Sequence, residues 1–284
     1  MEIITRVPRM ASICAKLLSS DVQIGLVPTM GSINPGHFGL IEAARGMTDL
    51  VVVSIFAGRL QFPSDEEYRQ HPRDMTRDMD LLSGQNVDYV FAPPEAALFP
   101  RGHASYVQVE DFGDKLPGIP APVCFRGMPT TLLKLIHTVR PAFLFLSQKD
   151  ALQGAIVRKM LHDLNLSTEV VAVPVARRPS GLAYGASDRF LSEPEAAAAA
   201  VLYRSLAAAQ AAIAAGERQA KRILQEVTRV VQEEPAVKLE YAVVVHPDSL
   251  EPMTRLKGRA LIAVSARVGT ATFNDALIDQ IPTG

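Results

Sequence analysis

The chain has 284 residues, 48% of them hydrophobic and 21% charged, a balance that fits a globular protein with room for one large and one small domain. Lys and Arg number 29 against 30 Asp and Glu, and the resulting net charge of −1 argues against a polyanion-binding surface and so against nucleic acid as a partner. Cys14 and Cys124 have neither metal-type spacing nor a framework to staple, so reduced thiols in a cytoplasmic protein are expected.

The opening residues, MEIITRVPRMASICAKLLSS, lack an apolar core followed by a cleavage site and do not read as a signal peptide. No uninterrupted apolar run reaches membrane-spanning length, so no membrane partner is expected. From there the chain alternates in the βα manner. VQIGLVPT (22–29) reads as a buried strand and 36–46 as a helix; LVVVSIFA (50–57) is a second strand, and 73–84 has helical periodicity. VDYVFAPP (87–94) is a third strand with a Pro-Pro stop. A Pro-rich loop at 116–122 precedes a helix in TTLLKLIHTV (130–139). AFLFLSQ (142–148) is a fourth strand, 151–164 a helix and TEVVAVPV (168–175) a fifth strand. Continuous β-branched strands between amphipathic helices predict a parallel sheet covered on both faces, with ligands at the carboxyl ends of its strands.

The character changes near residue 176. A loop rich in Arg, Pro, Gly and Ser leads to helices near 193–215 and 217–232, the first so alanine-rich that it reads as a strong helix former. Strands at KLEYAVVVH (238–246) and RALIAVSARVG (259–269) follow. The expectation is an α/β protein: a large nucleotide-type domain over 1–175 and a small C-terminal α+β lid domain over 176–284.

Chemistry concentrates in VPTMGSINPGHFGLIEAAR (27–45). Gly31 and Gly36 allow a sharp turn and close backbone approach to a ligand. A helix beginning after Pro35-Gly36 turns N–H groups and a positive dipole end towards whatever sits there, a natural phosphate site, and His37 adds a donor. Taken alone, a Gly-rich strand-to-helix turn is a common feature.

This stretch resembles the signature of the pantothenate synthetase (pantoate–β-alanine ligase) family, a branch of the nucleotidylyltransferases with H-I-G-H-type loops. The likeness continues in order through VVVSIF…QF (51–62), HPRDMTRDMDLL (71–82), FRGMPTTLLKL (125–135), VRPAFLFLSQKDALQ (139–153), VRKMLHDLNLSTEVVAVPV (157–175) and GLAYGASDRFL (181–191). It implies a Rossmann-like nucleotidylyltransferase domain, a homodimer, and an ATP-dependent ligase that uses Mg²⁺. A small carboxylic acid would be adenylated and then joined to an amine as an amide.

Carried over by position, the resemblance puts His37 and Lys149 at the ATP phosphates as catalytic groups, with Asp150 at the ribose. It places Gly36, Ala176 and Ser187 with the nucleotide, and Met30, Asn34, Arg59, Gln61 and Gln153 around the acid. Read singly, Gln61 and Gln153 are loop polars and Lys149 a surface lysine. His71, His103 and His137 match no family role.

The pattern also breaks. The family's G-x-L-H-x-G-H reads GSINPGH, so Asn34 replaces its first histidine; F-V-N-P-x-Q-F reads FAGRLQF, with Gly58 and Arg59 for Asn and Pro. The acid of G-E-K-D becomes Gln148. M-S-S-R-N becomes Tyr184, Gly185, Ala186, Ser187 and Asp188, which removes two hydroxyls and a cation and adds an acid. Two readings stay open. In the first, the pocket is recut for a different acid or amine, and Arg59, Arg126, Arg177, Arg178 or Arg189 supplies the missing charge. In the second, ATP-dependent adenylation is gone, leaving ligand binding or an ATP-independent condensation.

Overall fold

Strands that are apolar on both faces must be covered on both faces, and the first part of the chain obeys that rule. In the computed structural model, which describes residues 1–110, 123–186, 188 and 191–281, β1 (Glu2–Ile4) is followed by α1 (Val7–Leu18) and β2 (Ile24–Thr29). Then come α2 (Pro35–Met47), β3 (Leu50–Ile55), a 3₁₀ turn at Arg59–Gln61, α3 (Asp65–Gln70), α4 (Met75–Ser83), β4 (Tyr89–Phe91) and α5 (Glu95–Leu98). After the Val123–Gly127 turn, α6 (Met128–Val139) leads to β5 (Phe143–Ser147), a 3₁₀ turn at Gln148–Asp150, α7 (Ala151–Asp163) and β6 (Glu169–Val173). The sheet order is β1-β4-β3-β2-β5-β6, and the pairs β1–β4, β4–β3, β3–β2 and β2–β5 run parallel. The order reverses between β2 and β5, so the crevice beyond their carboxyl ends is the expected ligand position.

Ile24, Leu26, Val27, Val51, Val52 and Val53 are fully buried, which explains why these strands read as continuous apolar runs. On α2 the buried face is Leu40, Ile41 and Ala44, while Arg45 on the outer side bonds to Asp88 and to the Asn86 carbonyl. The five strands expected from the sequence are present, with β1 added at the edge. That strand, with its first two residues exposed, is too short to carry a periodic signal. The Pro-rich loop at 116–122 lies outside the described residues. Cys14 is free and buried in α1, and burial pushes its thiol up to about 11; the Cys124 side chain lies outside the description.

The chain separates into two compact units. The first comprises residues 1–110, 123–146 and 156–173, and the second takes Ser147–Ala155 and the chain from Pro174 onward. The sequence placed the whole of 1–175 in one domain. In the structure the segment carrying the 3₁₀ turn Gln148–Asp150 packs instead with the C-terminal strands.

The second unit contains α8 (Glu193–Ala199), α9 (Val201–Ala214), α10 (Ala220–Gln232) and the antiparallel meander β7 (Val237–Val245), β8 (Gly258–Val268), β9 (Ala271–Ile281). Its core includes Leu202, Leu206, Ile213, Ile223, Val227, Ile262 and Val264. The stretch Glu193–Ala214 is long and apolar enough to cross a membrane by length and composition, yet half of it is buried in this core and its helix breaks at Ala200. The third strand, β9, is absent from the sequence reading because Asn274, Asp275 and Asp279 interrupt its apolar pattern.

One close approach in the first unit fixes the turn that carries Gln61. A Cβ at Gly127 would lie 1.8 Å from the Leu60 carbonyl oxygen, so the two backbones touch only because residue 127 has no side chain. Gly127→Ala is therefore expected to destabilise the protein by about 2 kcal/mol or more through overpacking. Urea denaturation measures this, and a midpoint equal to that of the parent chain would refute it.

Candidate active site

The described candidate residues divide between the two units. Met30, Asn34, Gly36, His37, Arg59 and Gln61 belong to the first; Lys149, Asp150, Gln153 and Ala176 belong to the second. Ser187 and Arg189 lie outside the described residues.

In the first unit, β2 ends at a tightly wound turn. Gly31 and Ser32 both adopt left-handed conformations, at φ +83° and +55°. Glycine does so without strain, whereas Ser32 needs a compensating contact. Asp78 supplies it: this buried α4 carboxylate accepts from Ser32 N–H at 2.9 Å and Ile33 N–H at 2.7 Å. The Thr29 hydroxyl accepts from Gly31 N–H at 3.2 Å, and His71 Nε2 donates to the Met30 carbonyl at 2.8 Å. His71, without a role in the sequence reading, thus holds the residue before the turn.

Asn34 then begins α2 as its N-cap. Its Oδ1 accepts from Gly36 N–H at 2.9 Å, and its carbonyl accepts from His37 N–H at 2.9 Å. Pro35 has no N–H. These bonds cap the first turn of the helix. The helix dipole points out of the same end. His37 Nδ1 accepts from Asn34 N–H at 3.2 Å, which places the proton of the neutral ring on Nε2.

Gln61 Oε1 accepts from Gly58 N–H at 2.9 Å, an arrangement that orients the amide and leaves its NH₂ as the donor for a ligand. Arg59 is not an unpaired cation. Its guanidinium pairs with Asp65 and donates to the Phe62 carbonyl at 2.8 Å, while its N–H donates to Glu95 at 2.7 Å. Arg126 lies 4.1 Å over the Tyr106 ring. His103 packs edge-on between Phe99 and Tyr106, and His137 is exposed on α6.

In the second unit, Lys149 stands on the turn after β5 with its Nζ 3.3 Å from Asp150 Oδ2. The Asp150 carboxylate raises the lysine's pKa above the ordinary value against the opposing effect of burial, and Asp275 and Asp188 add to the rise. The ammonium is accordingly charged throughout the neutral range. Arg177 clasps Asp275 of β9 with two bonds, at 2.5 and 2.9 Å, and lies 4.6 Å over the Tyr203 ring. Arg178 donates to Asp188 at 2.9 Å and lies 5.5 Å from the Tyr184 ring centre. Arg177 and Arg178, nominated as replacement cations, are thus both neutralised by carboxylates. Gln153 and Ala176 are partly exposed in this unit.

A parallel sheet with a switch in strand order, and a Gly-containing turn feeding a capped helix at its carboxyl edge, define a Rossmann-like protein of the nucleotidylyltransferase class. Comparison with known proteins narrows this. A family described as pantoate-beta-alanine ligase matches residues 2–282. The pantothenate synthetase of Thermosipho africanus is 36% identical over 278 residues, covering 98% of this chain and all of the relative. The crystal structure of pantothenate synthetase from Thermus thermophilus superposes with a TM-score of 0.90 at 33% identity, covering 98% of this chain and 99% of that one. The pantoate-beta-alanine ligase of Francisella tularensis, complexed with beta-gamma ATP and beta-alanine, gives a TM-score of 0.78 at 26% identity over 98% and 97% of the two chains. The chain belongs to the pantoate–β-alanine ligase family.

Asp78, His71 and Asp275 are residues that sequence reasoning did not place in this frame, and the partner of Asp188 was likewise not foreseen. HPRDMTRDMDLL carried the first two only as a likeness, with nothing in the spacing to show which side chain turns inward. Asp78→Ala leaves two buried N–H groups without an acceptor and is expected to cost about 3 kcal/mol. Chemical denaturation should show that loss, and a cost under about 0.5 kcal/mol would mean that water replaces the carboxylate.

Proposed function

We propose that this chain joins pantoate to β-alanine through an acyl adenylate made from ATP. The observation that carries the reading is the Lys149 ammonium, kept charged beside Asp150 on the turn that follows β5. Membership of the family along nearly the whole chain supports it, as does the ligand pair held by the Francisella relative.

In the first step a pantoate carboxylate oxygen would attack the α-phosphorus of ATP, and the bond to pyrophosphate would break. Charge accumulates on phosphate oxygens as it does so, and a preorganised cation offsets it. Lys149 would be that cation, and the Nε2 proton of His37 would donate to a phosphate oxygen. Asp150 would accept from a ribose hydroxyl. The Gln61 amide, oriented by Gly58, would donate to pantoate together with Gln153, beside Met30. In the second step the amine would displace AMP from the acyl carbon.

Among the described residues no three His, Cys, Asp or Glu side chains gather to hold a metal ion. Mg²⁺ would therefore arrive on the triphosphate, held by phosphate oxygens and water. Arg177, Arg178 and Lys149 are each paired with a carboxylate, and Lys149 is taken as the phosphate-binding cation because its motif matches that of the family.

Pantoate-dependent exchange of pyrophosphate into ATP isolates the first step. Lys149→Ala is expected to lower that exchange about 10²–10³-fold with the circular dichroism spectrum preserved. Normal exchange in the variant would remove Lys149 from the reaction, and an absence of exchange in the parent chain would overturn the ligase reading.

A further inference from the structure

The segment that presents Gln61 is held on both sides by one carboxylate from outside it. Glu95 is the first residue of α5, and its side chain reaches that segment instead of capping its own helix. Oε1 accepts from Arg59 N–H at 2.7 Å, and Oε2 accepts from the Tyr68 hydroxyl. The two donors flank Gln61: Arg59 opens the 3₁₀ turn that carries it, and Tyr68 stands on α3. The bond to Glu95 is the leading reason that the Tyr68 pKa rises above its ordinary value.

Between these anchors the stretch is tied to itself. The Arg59 guanidinium donates to the Phe62 carbonyl at 2.8 Å and pairs with Asp65. Phe62 is buried, with the Tyr68 ring edge-on at 5.5 Å and the His71 ring at 5.0 Å between centres. A carboxylate that fixes Arg59 N–H and Tyr68 therefore fixes the whole stretch against α5. Gln61 Oε1 accepts from Gly58 N–H at 2.9 Å, so the aim of its amide depends on the backbone at 58 and 59.

The chemistry of position 59 shows what the acid is for. Residue 59 begins the 3₁₀ turn, and Gly58 before it is extended, at φ −94° and ψ 154°. That backbone accepts a proline at 59, the residue that stands there in the family motif. Proline would lock φ and bring no N–H, whereas arginine leaves φ freer and adds a donor. Glu95 takes that donor and supplies the restraint. The other motif residue, asparagine at 58, does not fit this turn, since a Cβ there would lie 2.7 Å from the Phe56 ring.

We propose that Glu95 is a positioning residue for Gln61, holding the acid-binding turn through Arg59 N–H and the Tyr68 hydroxyl where a proline would otherwise stiffen it. This deepens the ligase reading above and rests on its assignment of Gln61 to pantoate. Glu95 acts through the turn alone, and no bond is made or broken at its carboxylate. Its effect falls on the binding of the acid and leaves the handling of ATP and of the amine to other groups.

Amide hydrogen exchange at Gly58, followed by NMR, reads the Gln61 contact without any ligand. Glu95→Ala should speed that exchange about tenfold, the scale of one lost charge-assisted hydrogen bond. Glu95→Gln keeps an acceptor for Arg59 N–H and should change it far less, and Tyr68→Phe, which frees only the far anchor, should fall between the two. Adding Arg59→Pro to Glu95→Ala should slow the exchange again, because the ring restores the restraint and removes the donor. In turnover, Glu95→Ala should raise the KM for pantoate by a similar factor while kcat and the KM values for ATP and β-alanine change far less. The double variant should recover the pantoate KM. Unchanged Gly58 exchange in Glu95→Ala would overturn the proposal. So would an unchanged pantoate KM, equal rises in all three KM values, or no recovery on adding Arg59→Pro. A parent chain without pantoate-dependent pyrophosphate exchange would instead sink the ligase reading, and Gly58 exchange would still decide whether Glu95 holds Gln61.

Discussion

Charge balance is a constraint that both units obey. Arg59 is held by Asp65, Lys149 by Asp150, Arg177 by Asp275 and Arg178 by Asp188. In the second unit the three cations of these pairs are each matched by a carboxylate. The Arg59–Asp65 pair is exposed, whereas Asp275 and Asp188 are buried carboxylates that would be costly without their arginines. An anion that approached Lys149 would compete with the Asp150 carboxylate for it.

The first unit solves a different problem by the same means. Its glycine turn passes through two consecutive left-handed residues, and the buried carboxylate of Asp78 holds it by binding the N–H groups of Ser32 and Ile33. His71 holds the Met30 carbonyl and Thr29 the Gly31 N–H. Asn34 closes the helix that follows. Its side chain and carbonyl satisfy the N–H groups of Gly36 and His37. His37 remains, with its ring orientation set by the Asn34 N–H.

Much of this was legible in the sequence, and for physical reasons. β2, β3 and β5 are continuous apolar runs because both faces of the sheet are covered, and α2 announces itself through Asn34, Pro35 and the spacing of Leu40, Ile41 and Ala44. The family likeness brought Lys149, Asp150, Gln61 and Gln153 forward because their motifs lie in order along the chain. The short edge strand β1 escaped because three residues carry no period. β9 escaped because Asp275, buried against Arg177 from a segment 98 residues earlier, looks like a solvated turn residue when read along the chain.

What the sequence determined by itself is the alternation of elements, the sheet class, the family and the list of groups able to do chemistry, since these follow from local periodicity and ordered motifs. Tertiary structure decided which of those groups are already engaged. Arg59, Arg177 and Arg178 read as candidate anion binders until their carboxylates are seen, and Asp188 reads as an added acid until its bond from Arg178 is seen. Pairing between residues far apart in the chain depends on where the backbone brings them, and no local pattern encodes that distance.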